Sequence, residues 1–310
     1  MKRDQFFILG ITIILIAAAL SVAIYLNKDT ESLIPHEEGK NEAKFILNTE
    51  FPKIENSYAI YTVVSPDITA DYVKEIAEIF EVSGTPENVS ESTGEIRIID
   101  ETKNLKKQVS VYKYSNSIVY EIPEKKYGDI IDSEPDLPSE DEAKKIATEY
   151  LLSKNLLPDN VKVESVKSCV RSGTIKTGVE EPIEAYNVTL GVTYSRNIDG
   201  IPVYGDEFTV YIGDKGEVVG VTKTLREILK TGNTSIKSPD EAYNDLVAGN
   251  TELPALEMLI DEISIDNVSI GYLMQPRIYE QKSLTPVYVF EGIAKSNGKK
   301  IPYKEFVSAV

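Results

Sequence analysis

One histidine, His36, and one cysteine, Cys169, are all the imidazole and thiol that this 310-residue chain brings to catalysis. A Ser-His-Asp or Cys-His relay would have to recruit His36. That residue lies in a polar stretch, 27–44, whose composition offers no packed scaffold to hold a side chain in catalytic geometry. Zinc sites built from His and Cys lack their ligands, and the sequence contains no His-Glu-x-x-His run. Cys169, near the end of the stretch Val161 to Val170, reads as a small buried hydrophobe. Gly213 and Gly216 flank a hairpin turn with no helix directly after it, unlike a phosphate-cradling loop.

Acids are plentiful, with 50 Asp and Glu against 33 Lys and Arg. Glu180-Glu181 and Asp206-Glu207 are adjacent carboxylates, but neighbours on a strand point to opposite faces, so neither pair converges without a bulge. A carboxylate-dependent hydrolase is the one enzyme class that composition leaves open. Asp132, Glu134 and Asp136 alternate like the opening of a calcium loop. The sixth position is Leu137 and the twelfth Ala143, however, where glycine and glutamate belong. The expectation is a non-enzyme with no metal and no cofactor.

Binding side chains are more abundant. Among 18 tyrosines, Tyr204, Tyr211, Tyr272, Tyr279 and Tyr288 suit a peptide groove; the same residues suit a core between sheet and helix, because aromatics favour strands. Exposed strand edges would offer a second route, capture of an extended peptide by backbone pairing. A net charge of −17 repels nucleic acid. It favours cations, basic partners or a salty medium, or simply keeps a solvated surface soluble. Asn88, Asn187, Asn233 and Asn267 are N-glycosylation acceptors if the chain is exported.

The elements that must position these groups begin with an apolar run. Phe6 to Leu26 carries no charged side chain and as a helix would span about 30 Å, the thickness of a bilayer's hydrocarbon core. Lys2 and Arg3 precede it, and Asp29, Glu31, Glu37 and Glu38 follow. The N-terminus is therefore expected in the cytoplasm, with a single-pass anchor (1–26) in the cell membrane and the bulk of the chain extracellular. Ser21-Val22-Ala23 also fits a signal-peptidase site, which leaves cleavage as the rival outcome. Ala17 with Ser21, and Ala19 with Ala23, could seat a partner helix. With a single cysteine, no internal disulfide can form.

Beyond a stalk (27–44), a first α+β module (45–128) contains a helix over Thr69 to Phe80. Its apolar residues Tyr72, Val73, Ile76, Ala77 and Phe80 recur at helical spacing. Strands are expected over Arg97 to Asp100, Val109 to Tyr114 and Ile118 to Ile122, with Ser115-Asn116 as a tight turn. Residues 129–138 form an acidic linker containing Pro135 and Pro138. The next module (139–230) opens with a capping box, Ser139 and Glu142. Tyr186, Val188, Leu190, Val192 and Tyr194 then alternate with polar residues, a period of two that marks a half-buried strand. A further module (237–310) opens with the same signature at Ser238 and Glu241. The expected architecture is α+β: an N-terminal transmembrane helix followed by tandem helix-on-antiparallel-sheet modules.

Ser139-x-x-Glu142-Ala143, the run Asp199-Gly200-Ile201-Pro202-Val203-Tyr204-Gly205, then Val210 and Gly216-Glu217-Val218-Val219 resemble the PepSY-like group, which includes the propeptide domains of secreted metalloproteases. The arrangement also looks like the extracellular YycH/YycI-type regulators, single-pass proteins that restrain a membrane sensor kinase. Leu284-Thr285-Pro286-Val287-Tyr288-Val289-Phe290 is similar to a motif near the end of their second unit. The resemblance covers about residues 138 to 295. It implies a non-catalytic module that binds and modulates a membrane or envelope protein such as a sensor, a transporter or a protease. Inhibition of an exported protease in trans is the alternative it carries.

Overall fold

The computed structural model describes residues 43–64, 67–102, 105–128, 134–174, 184–253 and 260–310. Phe6 to Leu26, His36, Asp132 and Glu180-Glu181 lie outside them. No helix among the described residues is long and apolar enough to cross a membrane. The fold is mixed α+β and mostly sheet.

In chain order the elements are β1 (Lys44–Leu47), β2 (Ser57–Val63), α1 (Ala70–Ile79), β3 (Glu87–Ser90), β4 (Glu95–Asp100), β5 (Lys107–Tyr112) and β6 (Ser117–Glu121). A single helical turn, α2 (Pro123–Lys126), leads to α3 (Glu140–Ser153), β7 (Val161–Thr174), β8 (Glu184–Ile198), β9 (Ile201–Tyr204), β10 (Glu207–Ile212) and β11 (Val218–Thr224). Then come β12 (Ile228–Ser235), α4 (Pro239–Val247), β13 (Glu262–Leu273), β14 (Ser283–Leu284), β15 (Pro286–Ser296) and β16 (Lys299–Ser308).

Three times a helix is followed by an antiparallel meander. Each helix starts where a hydroxyl can accept from an orphaned N–H. Thr69 accepts from the N–H of Tyr72 at 3.2 Å. Ser139 with Glu142 and Ser238 with Glu241 form complete capping boxes. The meanders join into one sheet in the order β16-β15-β13-β9-β8-β10-β11-β6-β5-β4-β3, with β1 added on β13 and β7 on β8. The last strands of the first two meanders, β6 and β11, pair antiparallel from Ile118↔Lys223 to Glu121↔Gly220. Helices α1 and α3 therefore lie on the same face and share a core. Val73, Ile76 and Phe80 pack with Ile98, Val109 and Val111, continuous with Ala147 and Leu151 over Val192, Phe208 and Val210. Alternation explains this directly, since every second residue of each strand points at the helices.

The third meander packs under α4, with Ala242 and Leu246 against Ile263, Ile265, Tyr288 and Phe290. Pairing crosses the boundaries drawn from sequence. β1 pairs parallel with β13, and β2 sits between β12 and β14 in a separate three-stranded sheet. Residues 44–63 thus belong spatially with the C-terminal strands rather than with α1 and β3–β6. Parallel and long-range pairing leaves no local signature from which this could be read.

β16 also carries a carboxyl that burial disturbs. Glu305 is half-buried and accepts from the N–H of Phe306 at 3.2 Å; burial pushes its carboxyl up to about 7. The folded protein then keeps this proton at pH values where the unfolded chain has lost it. The stabilisation is complete at low pH and is lost as pH rises from about 4.5 through 7. Glu305→Gln is expected to match the parent at pH 5 and to exceed it at pH 8 by about 2 kcal/mol, discounted for partial exposure. Urea unfolding at the two pH values checks it, and equal midpoints at pH 8 would rule out the buried charge.

Candidate functional site

Edge capture fits the structure poorly. β7, a long edge strand among the described residues, shifts register three times, between Val163/Ser165, Ser168/Val170 and Val170/Arg171. β3 is four residues long and shifts between Asn88 and Ser90, and β12 shifts between Lys230 and Gly232. On β16 the Phe306 carbonyl points outward, where it accepts from Glu252 at 2.8 Å. By alternation Pro302 also faces outward, with no N–H to give, and Lys300 and Lys304 flank it. Bulges, proline and lysine are the devices that blunt edges against pairing.

One cleft of about 550 Å³ lies where β7, β8 and β9 meet β16. Its lining includes Lys162, Glu164, Asn197, Tyr204, Asp206 and Lys304. Tyr204 forms its aromatic wall. The ring packs on Phe306, 5.2 Å between centroids, and the Lys304 ammonium lies 4.7 Å from the ring centre, held by Glu291 at 2.8 Å. A side chain at position 271 would meet the Tyr204 ring at 2.6 Å, so Gly271 is what leaves room for it. Burial raises the Tyr204 hydroxyl above its ordinary range, with Lys304 opposing.

The floor is a buried ion pair. Arg196 donates to both carboxylate oxygens of Asp206, from Nε at 2.8 Å and from Nη2 at 3.1 Å, with side chains 5% and 3% exposed. Nη1 of Arg196 donates to the Arg226 carbonyl at 2.9 Å. Arg226 in turn donates to the carbonyls of Gln275, Pro276 and Tyr279 at 2.6, 3.1 and 2.8 Å. Burial pushes the Asp206 carboxyl up to about 6, against the pull of Arg196 and Arg226. It likewise brings the Arg226 guanidinium down to about 10, with Asp206 opposing. The chain enters this floor through Gly205, whose φ of +81° and approach to the Met274 carbonyl admit no side chain.

The structure separates the five tyrosines. Only Tyr204 opens on the cleft. Tyr211 lies on the face of the sheet opposite α1 and α3, where the Lys126 ammonium at the end of α2 is 4.1 Å from its ring centre; Lys126 pairs with Glu121 at 2.9 Å. Tyr272 and Tyr288 are fully buried, and their hydroxyls donate to the carbonyls of Ala59 at 2.9 Å and Lys237 at 2.6 Å. Neither presents a surface to a partner. Tyr279 is half-buried in the loop that Arg226 holds. Asn88, Asn187, Asn233 and Asn267 are all exposed.

Asp206 and Glu207 do not converge, because different arginines hold them: Arg196 the first, and Arg277 the second at 3.0 Å. Among the described residues no group of three or more His, Cys, Asp and Glu is placed to hold a metal ion. Sequence reasoning missed Arg196 and Arg226. A signal for Arg196 existed: it continues the inward series of Val192 and Tyr194 on β8, where an arginine requires a buried acid.

Residues 187–225, from within β8 to just past β11, match the Fungalysin/Thermolysin Propeptide Motif. No curated protein matches the chain. Among solved structures it is similar to an uncharacterized protein from Eubacterium rectale at 12% identity, covering 85% of this chain and 87% of that one with a TM-score of 0.45. It is also similar to the Bacillus megaterium YpeB C-terminal domain at 12% identity, covering 78% of this chain and 93% of that one with a TM-score of 0.34.

Proposed function

We propose that this chain is a non-catalytic regulatory module, built from tandem PepSY-like units, that holds a segment of another envelope protein in the Tyr204 cleft. One observation carries the proposal. The stretch that matches the propeptide motif, 187–225, itself supplies Tyr194–Asn197 and Pro202–Asp206, most of the cleft's lining. The motif favours an exported protease as the partner class, restrained in trans. Phe6 to Leu26 would anchor the module in the membrane with its N-terminus in the cytoplasm. A sensor or transporter, as in YycI-type regulators, is the partner of the second reading, which the anchor favours.

Lys162 and Asn197 sit on the rim of the cleft and outside the apolar core, so they can be changed without disturbing the fold. Full-length protein is expected to slow cleavage by an envelope protease from the same source. The double variant Lys162→Glu with Asn197→Ala should weaken that inhibition by about tenfold, worth ~1.4 kcal/mol, at an unchanged unfolding midpoint. If every envelope protease cleaves at its usual rate, the inhibitory reading fails. Crosslinking in the native membrane then decides for or against the sensor or transporter.

A further inference from the structure

At the opposite end of the large sheet, β3 and β4 bound a second concavity of about 580 Å³, lined by Glu87, Asn88, Val89, Arg97, Ile99 and Glu101. It lies outside the stretch that matches the propeptide motif and shares no residue with the Tyr204 cleft. Ile96 and Ile98 point under α1 and are buried. By alternation Arg97, Ile99 and Glu101 occupy the face opposite α1. Ile99 on that face stays 38% exposed. Val89, at the register shift between Asn88 and Ser90, is 48% exposed. Two large apolar side chains thus meet solvent within one groove.

Charge selects the occupant. Arg97 is already committed: it donates to Glu95 from Nε at 3.0 Å and to Ser110 at 3.1 Å. Glu87 and Glu101 are exposed, and neither forms an ion pair among the described residues. The groove therefore offers apolar contact flanked by two carboxylates on a chain of net charge −17. We propose that it docks a partner segment in which an apolar side chain is flanked by lysine or arginine. The carboxylates select the charge, and Val89 with Ile99 take up the apolar group. This is a second contact point, independent of what occupies the Tyr204 cleft.

The test uses the full chain and two labelled octapeptides, one alternating leucine with lysine and one alternating leucine with glutamate, followed by fluorescence anisotropy at physiological salt. The lysine peptide is expected to bind and the glutamate peptide to bind at least about tenfold more weakly. Glu87→Lys with Glu101→Lys should weaken the lysine peptide by about tenfold, and Val89→Asp by a similar factor. Glu75→Lys with Glu78→Lys changes the net charge equally at exposed positions of α1, on the other face of the sheet, and should leave binding within about twofold. Equal loss in the α1 variant would overturn the proposal, because net charge alone would then explain the attraction. So would equal binding of both peptides, or no binding of the lysine peptide. An unchanged unfolding midpoint separates lost docking from lost structure in each variant.

Discussion

Asp206→Ala is expected to lower the unfolding free energy at pH 7.5 by about 3–5 kcal/mol, the usual cost of removing one member of a buried ion pair. The loss comes less from the attraction itself than from what remains. Arg196 keeps a guanidinium that is 5% exposed with no carboxylate to meet it, and Arg226 also loses the negative charge that opposes its desolvation. Arg226 is the clasp on the 275–279 loop, so the damage should spread from the cleft floor into that loop. Asp206→Asn keeps the shape and one acceptor and should cost less than alanine. Urea unfolding of the three proteins checks the order. A loss below about 1 kcal/mol for alanine would mean that water reaches Arg196 and that the floor is not sealed.

The second large effect concerns backbone rather than charge. Gly205→Ala is expected to cost about 3–4 kcal/mol, combining a left-handed conformation with a collision. An added Cβ would lie 2.0 Å from the Met274 carbonyl oxygen. That contact cannot be relieved by turning a side chain. It requires β9 and the end of β13 to part, and with them the 2.8 Å bond from the Met274 N–H to the Tyr204 carbonyl. Gly200 provides the control. Its φ is +82°, but a Cβ there meets nothing within 4 Å, so Gly200→Ala should cost only about 1 kcal/mol. Thermal unfolding of the two variants separates strain from collision. Similar losses would show that the approach at Gly205 relaxes freely.

Much of the local structure was legible because it is locally caused. The spacing of Val73, Ile76, Ala77 and Phe80 marks α1, and the structure places Thr69 and Phe80 as its caps. Capping boxes mark α3 and α4 because serine and glutamate three apart answer each other's orphaned N–H groups. The first helix-and-meander segment lacks that signature, since Tyr72 rather than an acid stands three residues after Thr69. Its kinship with the other two is visible only in the sheet. The alternation along β8 is legible from Tyr186 to Tyr194. It carried one step further, to Arg196, where the polar residue in an apolar register announced a buried partner. The identity of that partner was beyond the sequence, because Asp206 is brought to it by the left-handed bend at Gly205 between β9 and β10. Tyrosine abundance was the least informative signal. Tyr272 and Tyr288 differ from Tyr204 only in which side of β13, β15 or β9 they face, and what covers each side is decided by strands far away in sequence.

The placement of β1 also sets an order in time. Asn48, just past this strand, donates to Asp266 across 218 residues of sequence, and β1 itself has its partner on β13. A chain made N-terminus first presents these residues long before anything exists for them to pair with. Meanwhile α1 and β3–β6 can close over short loops, which is the faster kind of contact to make. The earliest described residues are thus among the last to be fixed. A chain halted before residue 262 would carry a first meander able to close beside a strand still waiting for its place.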